Sequence, residues 1–232
     1  MLFELAFLSP ASLFLYQPSN LKLKFGSAST NLTVLSRIKK QYEKVITRLL
    51  KLEDQPRISP NTISLLGFLV AILASLLIYY HFIIVAVLSI LLSGFLDSID
   101  GIVARKAGLE SKFGAFLDSV LDRYSDAVII FSMVVSNLCS AWIGLFAIIG
   151  FLMMSYMRAR GEALGASSAG AGIMERAERL LALSLILIAS SIASDPRTVC
   201  DICMLVLTVL VHASCIQRFI HIQKQLRETN AG

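Results

Sequence analysis

A long uncharged stretch most constrains how this chain can fold. From Ile58 to Leu96 the sequence contains no charged residue when His81 is taken as neutral. A membrane-crossing helix needs about 20 apolar residues, so the stretch suits two crossings joined at Tyr80–Phe82. Only 16% of all residues are charged and 56% are hydrophobic, whereas a soluble domain carries about 25% charged residues. The chain is therefore predicted to be an all-α integral membrane protein, because helices satisfy their own backbone hydrogen bonds in lipid.

Further apolar stretches follow, separated by charged or polar segments. The six predicted transmembrane helices cover residues 63–80, 82–96, 113–138, 141–156, 180–193 and 199–216. Nearly all Lys and Arg lie before the first span, in 97–112, in 158–179 and after the last span, whereas the alternate turns contain only Arg197. Basic residues favour the cytoplasmic side of a membrane. We therefore expect a multi-pass protein of the cell membrane with both termini cytoplasmic and any active site on the cytoplasmic side.

The basic residues indicate contact with membrane lipids rather than with nucleic acid. The net charge is +5, but the basic residues flank apolar spans, where they set orientation and touch anionic headgroups. The sequence contains no nucleic-acid-binding motif, so nucleic acid is not an expected partner. The scattered cysteines complete no four-ligand metal pattern and are expected to be packing residues; they are Cys139, Cys200, Cys203 and Cys215.

The chain ahead of the first span divides into two parts. Residues 1–33 form an extension without an assigned role, and they are either a surface-lying segment or an over-extended start. The apolar part of this extension carries Glu4 and no basic residues, which is not typical of a signal peptide. Residues 34–57 place apolar residues at helical spacing with basic residues between them, which predicts a juxtamembrane amphipathic helix at the interface. Residues 58–232 form the predicted six-helix domain.

Four aspartates are spaced so that they share helix faces. Asp97 and Asp100 are three residues apart at the end of one predicted span, and Asp118 and Asp122 are four residues apart on the next. Residues at these spacings lie on one face of a helix. Because a short loop joins the two helices, the helices are expected to be antiparallel neighbours. The sequence therefore predicts four carboxylates converging just inside the membrane surface.

Such a group of carboxylates indicates a site for divalent cations and phosphate. Four carboxylates cannot all stay ionised at close range in a low-dielectric site without positive charge. Hard divalent ions prefer oxygen ligands, and Mg²⁺ favours phosphate partners. The small residues Gly101 and Ala104 allow a ligand to approach the backbone, and the forked guanidinium of Arg105 suits a phosphate.

The string D-x2-D-G-x2-A-R-x8-G-x3-D-x3-D, from Asp97 to Asp122, resembles the signature of the CDP-alcohol phosphatidyltransferases. The resemblance implies transfer of a phosphatidyl group from a CDP-linked lipid to an alcohol, with release of CMP. It implies that Asp97, Asp100 and Asp118 bind two Mg²⁺ (or Mn²⁺) ions and that Asp122, at the same metal site, is the general base. It also implies a CDP-lipid site, whose residues are Pro60, Asn61, Thr62, Ile63, Gly101, Ala104, Arg105, Ser111 and Gly114. Ser64 stands where the family usually has Thr, which keeps a hydroxyl group.

The segments 155–163 and 172–180 resemble the branch of this family that makes phosphatidylinositol phosphate or its archaeal counterpart, archaetidylinositol phosphate. The resemblance implies myo-inositol 1-phosphate as the acceptor. The matching residues that would hold the acceptor phosphate are Arg158, Arg160, Arg176 and Arg218. Forked guanidinium groups at the cytoplasmic ends of helices suit a phosphate dianion. Arg179 and Glu178 are instead assigned to helix-end salt bridges.

Alternatives remain open at this point. One is a sister enzyme that uses glycerol 3-phosphate or another alcohol as acceptor, or CDP-inositol as donor. Another is a cation transporter that uses the aspartates as an ion pathway, which predicts acidic residues near the bilayer midplane and inverted repeats. Members of the family that the chain resembles commonly form homodimers, so a homodimer is expected from the resemblance alone.

Overall fold

The computed structural model describes residues 59–167 and 174–230, and all regular structure in these ranges is helical. The predicted extension 1–33 and amphipathic helix 34–57 lie outside the described residues. The helices run in order as α1 (Pro60–Tyr79), α2 (Ile83–Ala107), α3 (Lys112–Val135), α4 (Ala141–Ala163), α5 (Arg176–Ile192) and α6 (Pro196–Asn230). The prediction of an all-α protein is therefore confirmed over the described ranges.

Four of these helices are long and apolar enough to cross a membrane. They cover Pro60–Tyr79, Ile83–Ala107, Ala141–Ala163 and Pro196–Glu228. Helix α3 carries several charged residues, including Asp118 and Asp122, and α5 has 17 residues, which is at the short end for a crossing. The count of six spans and the positions of the termini thus stay predictions.

Helix α2 is longer than the apolar stretch that predicted it. The sequence places the end of the second span at Leu96, whereas the helix continues through Asp97 and Asp100 to Ala107. It ends at Gly108, which adopts the left-handed conformation with φ 64° and whose N–H donates to the carbonyl of Ala104. Hydropathy marks where the apolar surface ends, but hydrogen bonding continues until a residue such as this glycine stops the helix.

Close packing of α1 against α2 positions the beginning of the acidic site. A Cβ added to Gly67 on α1 would lie 3.4 Å from the Leu96 side chain, and the Ser93 hydroxyl donates to the Gly67 carbonyl at 2.8 Å. Small residues and hydroxyl groups of this kind let apolar helices approach closely. Ser64, about one turn before Gly67, consequently meets Asp100, about two turns after Ser93.

The core lies between the helices, and large apolar side chains also cover the outside. Helix α1 packs against α2 and α3, α4 packs against α3 and α6, and α5 packs against α2 and α6. The largest fully buried side chains include Ile130, Met133 and Leu183. Outward-facing residues such as Trp142 and Ile192 are 77% and 82% exposed. A surface covered with exposed apolar side chains is typical of a protein that lies in lipid.

Candidate active site

Three of the four predicted metal-site aspartates meet at one point. Asp97 and Asp100 come from α2 and Asp118 from α3, and one carboxylate oxygen from each lies within 4.8 Å of the others. Asp100 is buried, and its Oδ2 atom accepts a hydrogen bond from the Ser64 hydroxyl. The short loop between α2 and α3 brings these faces together, as the helical spacing predicts.

The fourth predicted aspartate is linked to this cluster through an arginine. Asp122 lies one turn beyond Asp118 on α3, and its Oδ1 atom is 2.8 Å from Nη1 of Arg176. The same Nη1 atom is 2.6 Å from Oδ2 of Asp97. Arg176, the first residue of α5, therefore joins the carboxylates of α2 and α3.

The chemistry of these donors suits a divalent cation. The cluster offers only hard carboxylate oxygens, which are the ligands that Mg²⁺ and Mn²⁺ prefer. Several carboxylates held this close repel one another unless positive charge compensates them, and the ion pairs of Arg176 with Asp97 and Asp122 and of Arg123 with Asp122 supply part of that charge. The residues present thus fit the metal that the sequence predicts.

Next to the aspartates lies a cavity of about 200 Å³. Asp100 and Asp118 form part of its wall. Seven of the nine predicted CDP-lipid residues line the same cavity, namely Pro60, Asn61, Gly101, Ala104, Arg105, Ser111 and Gly114. The sequence motif and the first turn of α1 therefore face one space, although they are far apart in the chain.

The beginnings of two helices meet at this cavity. The Ser59 side chain caps α1 by accepting from the N–H of Thr62, and the Ser111 hydroxyl caps α3 by accepting from the N–H of Gly114 at 2.9 Å. The N-terminus of a helix carries partial positive charge and free N–H groups, both of which favour anions. The cavity wall thus offers two such ends together with Arg105.

The remaining two predicted CDP-lipid residues lie outside the cavity lining. The Thr62 hydroxyl is paired with the Ser59 hydroxyl at 2.8 Å. Ile63 is buried in a small apolar cluster with Ile99, Ile102 and Val103. The turn of α1 directs these two side chains away from the cavity, whereas Pro60, Asn61 and Ser64 face it.

The four predicted acceptor arginines occupy different environments. Arg218 on α6 is buried and donates to the carbonyl of Met154 at 2.8 Å. The positive charge of Arg158 lies near enough to repel that of Arg218. Arg158 is exposed and forms an ion pair with Glu162 at 3.1 Å. Arg160 is exposed, and only Arg176 contacts the aspartates directly.

Sequence reasoning missed Asp126 and assigned Arg179 to the wrong environment. Asp126 is buried on α3, and its Oδ2 atom is 3.2 Å from Nη2 of Arg179. Arg179 therefore forms an interhelical ion pair rather than a helix-end salt bridge, while Glu178 accepts from the N–H of Glu175 at the start of α5. Asp126 follows Asp122 at the same four-residue spacing, which was the available signal.

Comparisons with known proteins agree with these observations. Residues 57–217 match the family model of CDP-alcohol phosphatidyltransferases. The chain is 38% identical over 148 residues to the archaetidylinositol phosphate synthase of Pyrococcus horikoshii, covering 64% of this chain and 79% of that protein. It is 38% identical over 191 residues to the archaetidylinositol phosphate synthase of Methanothermobacter thermautotrophicus, covering 81% and 95%.

The fold resembles that of a solved relative. A crystal structure of Mycobacterium tuberculosis phosphatidylinositol phosphate synthase with CDP-DAG bound matches with a TM-score of 0.63 and 24% identity, over 80% of this chain and 94% of that one. A second structure of that protein, in complex with manganese and citrate, matches with a TM-score of 0.64 and 24% identity, over 78% and 88%. The family model covers most of the chain and agrees with the resemblance of the aspartate motif. This chain belongs to the CDP-alcohol phosphatidyltransferase family.

Proposed function

We propose that this protein transfers a phosphatidyl or archaetidyl group from a CDP-linked lipid to myo-inositol 1-phosphate and releases CMP, a step of phospholipid biosynthesis. The observation that carries the proposal is the shared wall of the cavity. Asp100 and Asp118 stand beside residues suited to a nucleotide diphosphate. The relatives named archaetidylinositol phosphate synthase support the choice of acceptor.

The CDP end of the donor lipid is proposed to bind in the cavity beside α1 and α3. The two helix N-termini and Arg105 favour its diphosphate, because they present N–H donors and positive charge. Asn61 and Ser111 supply polar groups, while Gly101 and Gly114 let the ligand approach the backbone. The lipid tails stay in the bilayer beside the apolar helices.

Divalent metal is proposed to bind at Asp97, Asp100 and Asp118, with Asp122 at the edge of the same site; two Mg²⁺ ions are the expected number and Mn²⁺ is an alternative. When bound, the ions offset the charge of the diphosphate and favour departure of CMP. The manganese-bound structure of the M. tuberculosis relative supports a divalent-metal site in a protein of the same fold. The carboxylates hold the ions, and Ser64 orients the carboxylate of Asp100.

Asp122 is proposed to act as the general base. Its carboxylate takes the proton of an acceptor hydroxyl, whose oxygen forms a new bond to the lipid-bearing phosphorus as the bond from phosphorus to the CMP oxygen breaks. Asp122 is suited to this role because Arg176 contacts its Oδ1 atom and so fixes the carboxylate at the edge of the acidic cluster. Arg158, Arg160, Arg176 and Arg218 are proposed to hold the acceptor phosphate.

The topology is proposed to follow the charge distribution. Six spans, with both termini and the active site on the cytoplasmic side of the cell membrane, agree with the basic residues that flank the spans. Polar substrates then reach the site from the cytosol, while the lipid donor reaches it from the bilayer. Residues 58–232 are proposed as the catalytic domain, and a homodimer is proposed from the family resemblance.

An acceptor assay tests the proposal directly. Purified protein with a CDP-linked lipid and Mg²⁺ is expected to convert radiolabelled inositol phosphate to a lipid product and to release CMP in equal amount. Conversion of radiolabelled glycerol 3-phosphate instead would identify a sister enzyme. Donor activity of CDP-inositol would identify the second alternative, whereas ion flux without CMP release would support a transporter.

A substitution at Gly114 tests the donor site. A Cβ at this position would lie 2.9 Å from Oδ1 of Asn61 and 3.0 Å from the Ser111 hydroxyl. Gly114→Ala is therefore expected to displace Asn61 and to raise KM for the CDP-linked lipid about tenfold, since one hydrogen bond to a charged ligand is lost. Gly101→Ala is the matched comparison. Its Cβ meets only the movable end of Arg105 at 3.4 Å, so a smaller increase is expected. A wild-type KM for the CDP-linked lipid in Gly114→Ala would contradict the role of Asn61.

A further inference from the structure

Asp126 is a buried acid beyond the catalytic motif, and two arginines of α5 converge on it. The residue is 4% exposed. Nη2 of Arg179 lies 3.2 Å from its Oδ2 atom, and Nε of Arg176 lies 3.6 Å from its Oδ1 atom. A carboxylate buried this deeply is costly unless it is paired. The two arginines provide that pairing, and the contacts of each show what Asp126 does in return.

The contacts of Arg176 show what Asp126 can do. The guanidinium is a rigid plane with its donors in a fixed fork. Asp97 and Asp122 contact its Nη1 atom, while Asp126 faces its Nε atom. Contacts at two different nitrogens fix the orientation of the plane, whereas contacts at Nη1 alone would leave it free to turn.

Arg179 makes the support rigid. Its side chain is 4% exposed, and its guanidinium carbon lies 4.6 Å from the centroid of the Phe151 ring, a favourable cation–π distance. Arg179 therefore holds Oδ2 of Asp126 from within the protein and leaves Oδ1 for Arg176. Oδ1 of Asp126 and Nε of Arg176 are buried and make no hydrogen bond within the described residues. The electrostatic attraction between these two atoms therefore offsets the cost of burying them.

We propose that Asp126 is a positioning residue for the acceptor. Braced by Arg179, it orients Arg176 so that this arginine can receive the phosphate of the acceptor while contacting Asp97 and Asp122. The inference rests on the proposed function, because it assigns Arg176 to the acceptor phosphate. Asp126 itself touches neither substrate.

Steady-state kinetics of Asp126→Asn test the proposal. The amide keeps the shape of the side chain but loses the charge that attracts Nε. KM for inositol phosphate is expected to rise about tenfold or more, in line with the loss of one charged hydrogen bond from a misoriented Arg176 to the acceptor phosphate. KM for the CDP-linked lipid is expected to stay within twofold of wild type, which also reports that the variant is folded. An unchanged acceptor KM would overturn the proposal.

A double variant separates positioning from charge balance. Asp126→Asn combined with Arg179→Gln removes both charges of the buried pair, so it repairs the charge balance but not the hold on Arg176. The raised acceptor KM is expected to persist, and its return to the wild-type value would mean that Asp126 only neutralises Arg179. If the single variant cannot be purified as a monodisperse protein, Asp126→Glu takes its place, since the longer side chain keeps the charge but displaces the carboxylate. A raised acceptor KM in that variant supports positioning, and a wild-type KM overturns it.

The wild-type enzyme is the reference that keeps the two proposals apart. Absence of turnover of inositol phosphate by the wild type contradicts the proposed function. Normal wild-type turnover together with a wild-type acceptor KM in Asp126→Asn contradicts the positioning role alone.

Discussion

Asp122→Asn is expected to lose about 10³-fold in kcat, within the range typical of a missing general base. The amide nearly matches the carboxylate in shape and still offers an oxygen to Arg176, which lies 2.8 Å from Asp122. It cannot take the proton of the acceptor hydroxyl. CMP release at saturating substrates and Mg²⁺ measures the loss, and Mn²⁺ binding followed by electron paramagnetic resonance is expected to remain largely intact.

The control for this variant is Asp195→Asn. Asp195 is exposed in the turn before α6 and accepts from the N–H of Thr198. The same chemical change there is expected to leave the rate unaltered. Full activity of Asp122→Asn would remove Asp122 as the base. A loss of Mn²⁺ binding as large as the loss in rate would instead make Asp122 chiefly a metal ligand.

Asp100→Asn is expected to weaken Mn²⁺ binding by about 100-fold or more. Asp100 is the buried member of the three-aspartate cluster, and a neutral amide removes one of the charges that attract the ion. Since supporting residues around metal ligands typically contribute 10- to 100-fold in affinity, loss of a ligand itself is expected to reach or exceed that range. Titration with Mn²⁺ in the absence of substrates gives the affinity, and the Mg²⁺ dependence of CMP release gives the consequence. Unchanged Mn²⁺ affinity would remove Asp100 from the site.

Ser64→Ala is the matched partner of that variant. Its hydroxyl donates to Oδ2 of Asp100, so the substitution removes the hydrogen bond that orients the ligand but leaves every carboxylate in place. The Mn²⁺ affinity is expected to fall about tenfold, at the lower end of the range for supporting residues. An effect as large as that of Asp100→Asn would indicate a collapse of the cluster rather than a loss of orientation.

The sequence predicted the acidic cluster well because helical spacing is local information. Residues three or four apart share a helix face, and a short loop leaves two helices little choice but to pack side by side. The resemblance to the CDP-alcohol phosphatidyltransferases, confirmed by the family model, then identified the chemistry. The prediction that Pro60 and Asn61 belong to the CDP-lipid site depended on this resemblance, since no local pattern links these residues to a motif so far along the chain.

Other features required the three-dimensional arrangement. Asp126 continues the spacing of Asp118 and Asp122, but its environment depends on the position of α5, which supplies both of its arginines. The end of α2 lies beyond the predicted end of the second span, because a hydropathy pattern does not detect a helix that continues past its apolar part. Thr62 and Ile63 do not line the cavity as the other predicted CDP-lipid residues do. The family motif gives the residues of this segment but not the direction in which each side chain points from the helix.

The continuity of α2 ties the acidic site mechanically to the bilayer. One rigid helix, Ile83–Ala107, contains both an apolar stretch and the first two aspartates, without a hinge between Leu96 and Asp97. The depth at which these carboxylates sit is then set by how much hydrocarbon the helix must match. Lipids with longer or shorter chains would tilt or displace the helix as a unit and carry Asp97 and Asp100 with it. The position of the acidic site relative to the membrane surface is therefore expected to change with the thickness of the bilayer.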